Sequence, residues 1–185
     1  LFVGNFSHSP DYQDRPKFLR NLGPQGNWKF EDRSKNAGLK WQESFASPAL
    51  GDFDNDGLLD LFFTTVYPRD DSVLYRNIGG WQFVDVTKPS GVQSRLTYQA
   101  AWSDFDNDGD LDLVSVFDTT VAWFEYLDAR AGFNPVANVL ASVAAGAAAA
   151  VADFDRDGDL DLAWVSGSGL YWARNNGGGS LFGLP

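Results

Sequence analysis

The chain has 185 residues, 44% of them hydrophobic and 21% charged, a balance typical of a folded globular chain rather than a disordered acidic one. A formal net charge of −11 makes nucleic acid an unfavourable partner. No apolar run approaches the roughly 18 residues of a membrane span, and without cysteine the chain has neither disulfides nor thiolate zinc sites.

The predicted elements are short strands in a repeat of about fifty residues, and self-similarity at such a period indicates a repeat architecture. Three segments align without gaps: 51–65 (GDFDNDGLLDLFFTT), 103–117 (SDFDNDGDLDLVSVF) and 152–166 (ADFDRDGDLDLAWVS). Residues 1–39 match the part of a repeat that follows such a segment. The predicted repeats are 1–45 (partial), 46–97, 98–147 and 148–185 (partial).

The strands and turns of each repeat predict the fold class. Asn77-Ile-Gly-Gly and Asn175-Asn-Gly-Gly predict hairpin turns, because Asn and Gly tolerate positive φ. A repeat of 40 to 50 residues with about four short strands is typical of a β-propeller blade. We therefore predict an all-β fold, a partial β-propeller of about three to four blades. Since propellers close on themselves, we expect the remaining blades to come from flanking sequence of the same polypeptide, or from a partner chain.

Two stretches depart from the regular pattern. Residues 141–152 contain eight alanines, which favour helix by intrinsic propensity, but the repeat alignment places them where residues 96–102 (LTYQAAW) form a strand. We favour the strand. In the third repeat the Asn-Gly turn is lost between Trp123 and Phe133, and only aromatic character is kept.

The aspartates concentrate in three loops: 22 of the 25 acidic residues are Asp, and 14 of these lie in residues 52–60 (the first loop), 104–112 (the second loop) and 153–161 (the third loop). Each loop fits Asp-x-Asp-x-Asp-Gly-x-x-Asp. Side chains at positions 1, 3, 5 and 9 and the carbonyl at position 7 can converge on one centre, while glycine at position 6 permits the turn.

Such an all-oxygen set suits Ca²⁺, whereas Mg²⁺ demands tighter octahedral geometry, and zinc and copper prefer imidazole or thiolate. We predict about three Ca²⁺ sites with these ligands: Asp52, Asp54, Asp56, the Leu58 carbonyl and Asp60; Asp104, Asp106, Asp108, the Asp110 carbonyl and Asp112; and Asp153, Asp155, Asp157, the Asp159 carbonyl and Asp161. The side chains of Asp110 and Asp159 are expected to point to water. The alternative, plain acidic turns, is disfavoured by three copies in register.

An EF-hand is excluded. Its loop needs a glutamate at position 12 and flanking helices. Here position 12 is Phe63, Ser115 or Trp164, and a predicted strand follows each loop at once.

The loops, the Leu-Asp-Leu strands after them, and Leu-Tyr-Arg-Asn-x-Gly-Gly followed by Phe-Val-Asp-Val-Thr (residues 74–87) resemble FG-GAP/VCBS-type repeats, closest to the bacterial and cartilage-acidic-protein-like branch. The resemblance implies an integrin-α-like propeller, expected to have seven blades when complete, with calcium in hairpin loops. Because weak Ca²⁺ sites fill where calcium is millimolar, we expect an extracellular, periplasmic or cell-surface location.

The sequence offers no catalytic constellation that we recognise. His8, the one histidine, lies in a polar loop, and no nucleophile elbow, phosphate loop or dinucleotide fingerprint is present. We predict a non-catalytic adhesion or recognition module, or an accessory subunit of a larger assembly, with a protein or glycan partner. The alternative is the propeller of a carbohydrate-active enzyme such as a polysaccharide lyase.

Tryptophan and arginine each allow two interpretations. The seven Trp could form a sugar-stacking platform, but their repeat-matched placement favours packing between blades. Arg20, Arg76 and Arg174 recur beside Asn in matching turns, which favours a structural role.

Overall fold

The computed structural model describes residues 2–3, 17–40, 45–135, 137–144, 147–178 and 181–182. His8 and Trp41 lie outside these residues, as do Ala145 and Gly146 of the alanine-rich stretch.

The described residues form four successive antiparallel sheets and one separate two-stranded hairpin. The first sheet contains β1 (Phe2–Val3), β2 (Lys17–Asn21) and β3 (Phe30–Asp32). The second contains β4 (Phe45–Gly51), β5 (Asp60–Thr65), β6 (Val73–Asn77) and β7 (Phe83–Asp85). The third contains β8 (Thr97–Ser103), β9 (Asp112–Phe117), β10 (Thr120–Phe124) and β13 (Asn138–Ser142), beside a hairpin of β11 (Tyr126–Asp128) and β12 (Gly132–Phe133). The fourth contains β14 (Ala148–Ala152), β15 (Asp161–Ser166), β16 (Gly169–Asn175) and β17 (Leu181–Phe182).

Helical structure is slight. The α-helix α1 (Thr87–Ser90) has four residues, and the two 3₁₀ turns cover Pro24–Gly26 and Ser34–Asn36. In the part of the chain that the structure describes, no helix has the length to cross a membrane.

Burial is greatest in the inner strands of the second and third sheets, which pack between two neighbouring sheets. All six residues of β5 are buried, which explains why this strand lacks a polar–apolar alternation. Three apolar clusters lie between successive sheets. One contains Phe18 and Phe83, one contains Phe62 and Phe133, and one contains Trp123 and Trp164. Successive sheets that share cores in this way are the blades of a propeller.

The first strands of the blades lie side by side: β4 packs against β8, and β8 against β14. Gln99 on β8 bridges two of them, since its Nε2 donates to the Ala149 carbonyl at 2.8 Å and its Oε1 accepts from the Ala149 N–H at 3.2 Å. The alanine-rich stretch therefore supplies a strand over Ala148–Ala152, as the repeat alignment predicts. The all-β, partial β-propeller architecture is confirmed.

The third repeat replaces its lost turn with a different one. In the regular hairpin, Asn77 Oδ1 accepts the Gly79 N–H at 3.0 Å. In the third repeat Asp128 Oδ1 accepts two backbone N–H groups, from Arg130 and Ala131, both at 2.7 Å. An Asx-type turn thus closes β11 onto β12 without the Asn-Gly pair.

Candidate metal centre

The three acidic loops occupy equivalent places, because each joins the first strand of its blade to the second. The glycine at position 6 has φ of +87° in Gly57, +97° in Gly109 and +99° in Gly158, the conformation that its prediction required. Position 4 is also left-handed, with φ of 56° in Asn55 and 63° in Asn107. Two left-handed residues so close together fold each loop back on itself.

The aspartate at position 9 anchors its loop to the sheet. Asp60 is completely buried, and its two oxygens accept the Phe53 N–H at 3.1 Å and the Asn77 N–H at 2.7 Å. Asp112 and Asp161 make the same pair of bonds, with Phe105 and Tyr126 and with Phe154 and Asn175. Burial raises the pKa of Asp60 to about 7 and that of Asp112 to about 6. This anchoring role is additional to the predicted role as a ligand.

Three carboxylates converge within each loop, with ligand atoms that all lie within 4.8 Å of one another. Two oxygens bound to one Ca²⁺ at about 2.4 Å can be no more than about 4.8 Å apart. The clusters are Asp52, Asp54 and Asp60; Asp104, Asp106 and Asp108; and Asp153, Asp155 and Asp161. Of the predicted carboxylate ligands, Asp56, Asp112 and Asp157 are not members of these clusters, and the ligand set as a whole stays a prediction.

Two carboxylate oxygens in these clusters are buried without a hydrogen-bond partner, Asp54 Oδ1 and Asp104 Oδ1. The Asp54 side chain is only 8% exposed, so water does not easily replace the missing donor. Burial raises the pKa of Asp54, against the opposing effect of Arg76. A buried anionic oxygen with no donor is costly unless a cation faces it. The residues present therefore fit a hard divalent cation.

Two arginines contact the acidic loops directly. The sequence predicts a structural role for them but not these contacts. Arg76 Nε lies 2.7 Å from Asp54 Oδ2, and its Nη2 lies 3.7 Å from Asp56 Oδ2. Arg174 Nε lies 2.8 Å from Asp155 Oδ2, and its Nη2 lies 2.6 Å from Asp157 Oδ2. The sequence signal for these contacts was the Arg-Asn pair, because the backbone N–H of that Asn donates to the aspartate at position 9 of the loop.

Neighbouring loops are linked side chain to side chain. Asn55 Nδ2 donates to Asp110 Oδ1 at 2.6 Å, and Asn107 Nδ2 donates to Asp159 Oδ1 at 2.6 Å. The side chain at position 4 of one loop thus donates a hydrogen bond to the side chain at position 7 of the next loop. The expectation that Asp110 and Asp159 point to water did not include these bonds, which their carboxylates accept from the preceding blade.

The sequence allows two interpretations of the tryptophans, packing between blades and a sugar-stacking platform. Trp123 and Trp164 are buried in the cluster between the third and fourth sheets, and Trp102 stacks on Phe53 at 6.0 Å between the second and third. Packing between blades is correct for these three. Trp28 lies between β2 and β3 of the first sheet and Trp172 on β16 of the fourth, and they are 64% and 41% exposed, so packing between blades stays a prediction for them.

Arg20 and Trp81 contact each other across two sheets. The Arg20 guanidinium carbon lies 5.3 Å from the Trp81 ring centroid, within the range of a cation–π contact. Arg20 therefore has the structural role that the sequence indicates.

Comparison with known proteins gives one family match. A family model described as the FG-GAP-like repeat matches residues 52–115 and 104–164. No curated protein sequence matches the chain significantly.

The solved structures that are similar to the chain include the following two. One is a lectin from Agrocybe aegerita that specifically recognises non-reducing terminal N-acetylglucosamine; it is 19% identical, with a TM-score of 0.59 over 92% of this chain and 46% of the lectin chain. The other is a Tc holotoxin pore from Photorhabdus luminescens, 20% identical, with a TM-score of 0.39 over 94% of this chain and 11% of the toxin chain. The chain thus spans less than half the length of either protein. The likeness to the lectin supports the propeller fold.

Proposed function

The chain belongs to the FG-GAP-like repeat family, and from that premise we propose that it is a non-catalytic, calcium-binding recognition module that works outside the cytoplasm. One observation carries the proposal. Three loops in the same register each bring three carboxylates within 4.8 Å, and two of these loops contain a buried carboxylate oxygen without a donor. Side chains with this arrangement are stabilised by a cation and repel one another without it.

Calcium would act on the loops through residues already in place. The carboxylates at positions 1, 3, 5 and 9 and the carbonyl at position 7 would hold the ion, and the buried aspartate at position 9 also keeps the loop against its sheet. Three ions would add six positive charges to a chain whose formal net charge is −11. The bound ions would stiffen one end of the second, third and fourth blades, and that end is the surface we propose for recognition.

The proposed partner is a glycan or a protein. The similar lectin binds terminal N-acetylglucosamine, which makes this sugar the first glycan probe for the present chain. An extracellular, periplasmic or cell-surface location is proposed with it, because sites of this kind fill at millimolar calcium.

Thermal unfolding tests the calcium proposal. We expect the melting temperature to rise with Ca²⁺, to rise much less with Mg²⁺, and to fall in EDTA. At a hundredfold excess over the dissociation constant, each site contributes about 2.7 kcal/mol to the free energy of unfolding. A melting curve that is the same in calcium and EDTA would overturn the proposal.

A glycan array and a turnover screen, both in calcium, test the recognition role. Binding of a glycan without turnover supports the module. Turnover of a polysaccharide supports the alternative, the propeller of a carbohydrate-active enzyme. Capture of a protein partner without glycan binding supports adhesion between proteins.

A further inference from the structure

One position beside the loops differs in charge from blade to blade. The backbone N–H groups of Asn77, Tyr126 and Asn175 bind the position 9 aspartates at 2.7, 2.8 and 2.9 Å, which aligns the three blades. The residue just before each of these is Arg76, Glu125 and Arg174. We call this the gate position. It therefore carries a cation beside the first and third loops and an anion beside the second.

In the first and third loops the gate arginine is bonded to predicted calcium ligands. Arg76 contacts the carboxylates at positions 3 and 5 at 2.7 and 3.7 Å, and Arg174 contacts the same two positions at 2.8 and 2.6 Å. A guanidinium there occupies carboxylate lone pairs that a metal needs, and it repels a second cation. A metal that binds at these loops must either displace the arginine or bind despite the repulsion from its positive charge.

The second loop has no such competitor. Residues 104–112 include five aspartates and no basic residue, and none of these carboxylates has an ion-pair partner among the residues that the structure describes. Asp104 Oδ1 is buried without a donor. Glu125 is half-buried and lies close enough to Asp106 to help raise the pKa of that carboxyl, after burial and Asp108. The second loop is the most negative of the three.

We propose that the gate residue sets the order of calcium affinity, so that the second loop binds first and most tightly and the first and third loops fill only at higher calcium. Glu125 adds negative charge beside the second loop, whereas Arg76 and Arg174 oppose the metal at the first and third loops. This inference rests on the proposed calcium binding. It makes the chain a module with one permanent site and two that respond to the calcium level.

Charge exchange at the gate tests the inference by calorimetric titration and Tb³⁺ luminescence. We expect the unaltered chain to show one tight and two weaker sites. Glu125→Arg lowers the affinity of the tight site at least tenfold, and Glu125→Gln lowers it by less. Arg76→Glu and Arg174→Glu each raise the affinity of one weak site at least threefold.

Two variants control for net charge. Arg95→Glu and Glu31→Arg make the same charge reversals at ion pairs away from the loops, with Asp71 and Arg33, and we expect them to leave all site affinities within about twofold. Circular dichroism in calcium verifies that each variant is folded. If Glu125→Arg does not fold, Glu125→Gln provides the test.

The outcomes separate the two proposals. Three sites of equal affinity that do not respond to the gate exchanges overturn the inference and leave calcium binding intact. An absence of calcium heat in the unaltered chain and in every variant overturns the proposed function itself.

Discussion

At the scale of single residues, the loops depend on glycine at position 6. Gly57, Gly109 and Gly158 all have positive φ, and an added Cβ would meet nothing within 4 Å at any of them. The requirement for glycine there is therefore one of backbone conformation and not of space.

Gly158→Ala should destabilise the fold by about 1–2 kcal/mol, the cost of a left-handed alanine, and should also weaken calcium binding at the third loop. The matched control is Gly167→Ala in the same blade. Gly167 has φ of +60° with open space around it, but lies in the turn at the other end of β15. We expect a similar loss of stability with unchanged calcium affinity. Equal effects of both variants on calcium affinity would contradict the assignment of the loop.

A second residue-scale prediction concerns pH in the absence of metal. Burial raises the pKa of Asp60 to about 7 and that of Asp112 to about 6, from an ordinary value of 3.8 for an aspartate. The folded chain then binds more protons than the unfolded chain between about pH 4 and pH 7. In EDTA, the free energy of unfolding should therefore fall as the pH rises through this window.

Urea unfolding in EDTA between about pH 4 and pH 8 measures this slope. Asp60→Asn and Asp112→Asn remove the titrating groups and should flatten it. A free energy of unfolding that rises with pH across the window would be incompatible with the burial of these carboxyls.

At the scale of elements, the loops form a chain of contacts from blade to blade through position 4 and position 7. Asn107→Gly removes the donor without the strain of a left-handed side chain, and Asp159→Ala removes the acceptor. The hydrogen bond between them should give a coupling energy of about 0.5–1.5 kcal/mol in a double-mutant cycle. Strictly additive losses of stability would mean that the two side chains do not interact in solution.

At the scale of elements, the sequence predicts the strands within each blade well and the contacts between blades poorly. The repeat of the Asp-Gly loops and the strands after them predicts the blades, because each motif lies within one blade and its chemistry is local. It predicts β14 over Ala148–Ala152 against intrinsic helix propensity, since the neighbouring blades determine the strand.

Contacts between residues that are distant along the chain could not be predicted from the sequence. The pairing of Arg174 with Asp155 and Asp157, and of Asn55 with Asp110, depends on how a strand or a neighbouring blade approaches the loop. Spacing along the chain does not specify that approach.

At the scale of the whole molecule, three apolar clusters between the sheets join the four blades, and three acidic loops lie at one end of the second, third and fourth blades. The clusters supply hydrophobic stabilisation that needs no metal. The loops add a stability that depends on the ions in solution. We propose that the fold is maintained by the first and the recognition surface is ordered by the second.

Native mass spectrometry of the metal-free chain titrated with calcium tests this account most directly, because it counts bound ions on the intact protein. The account predicts that the first Ca²⁺ binds at the lowest concentration, that two more follow as calcium rises, and that Asp104→Ala removes the first. A chain that binds no calcium, or binds it with no defined number of ions, would contradict the account.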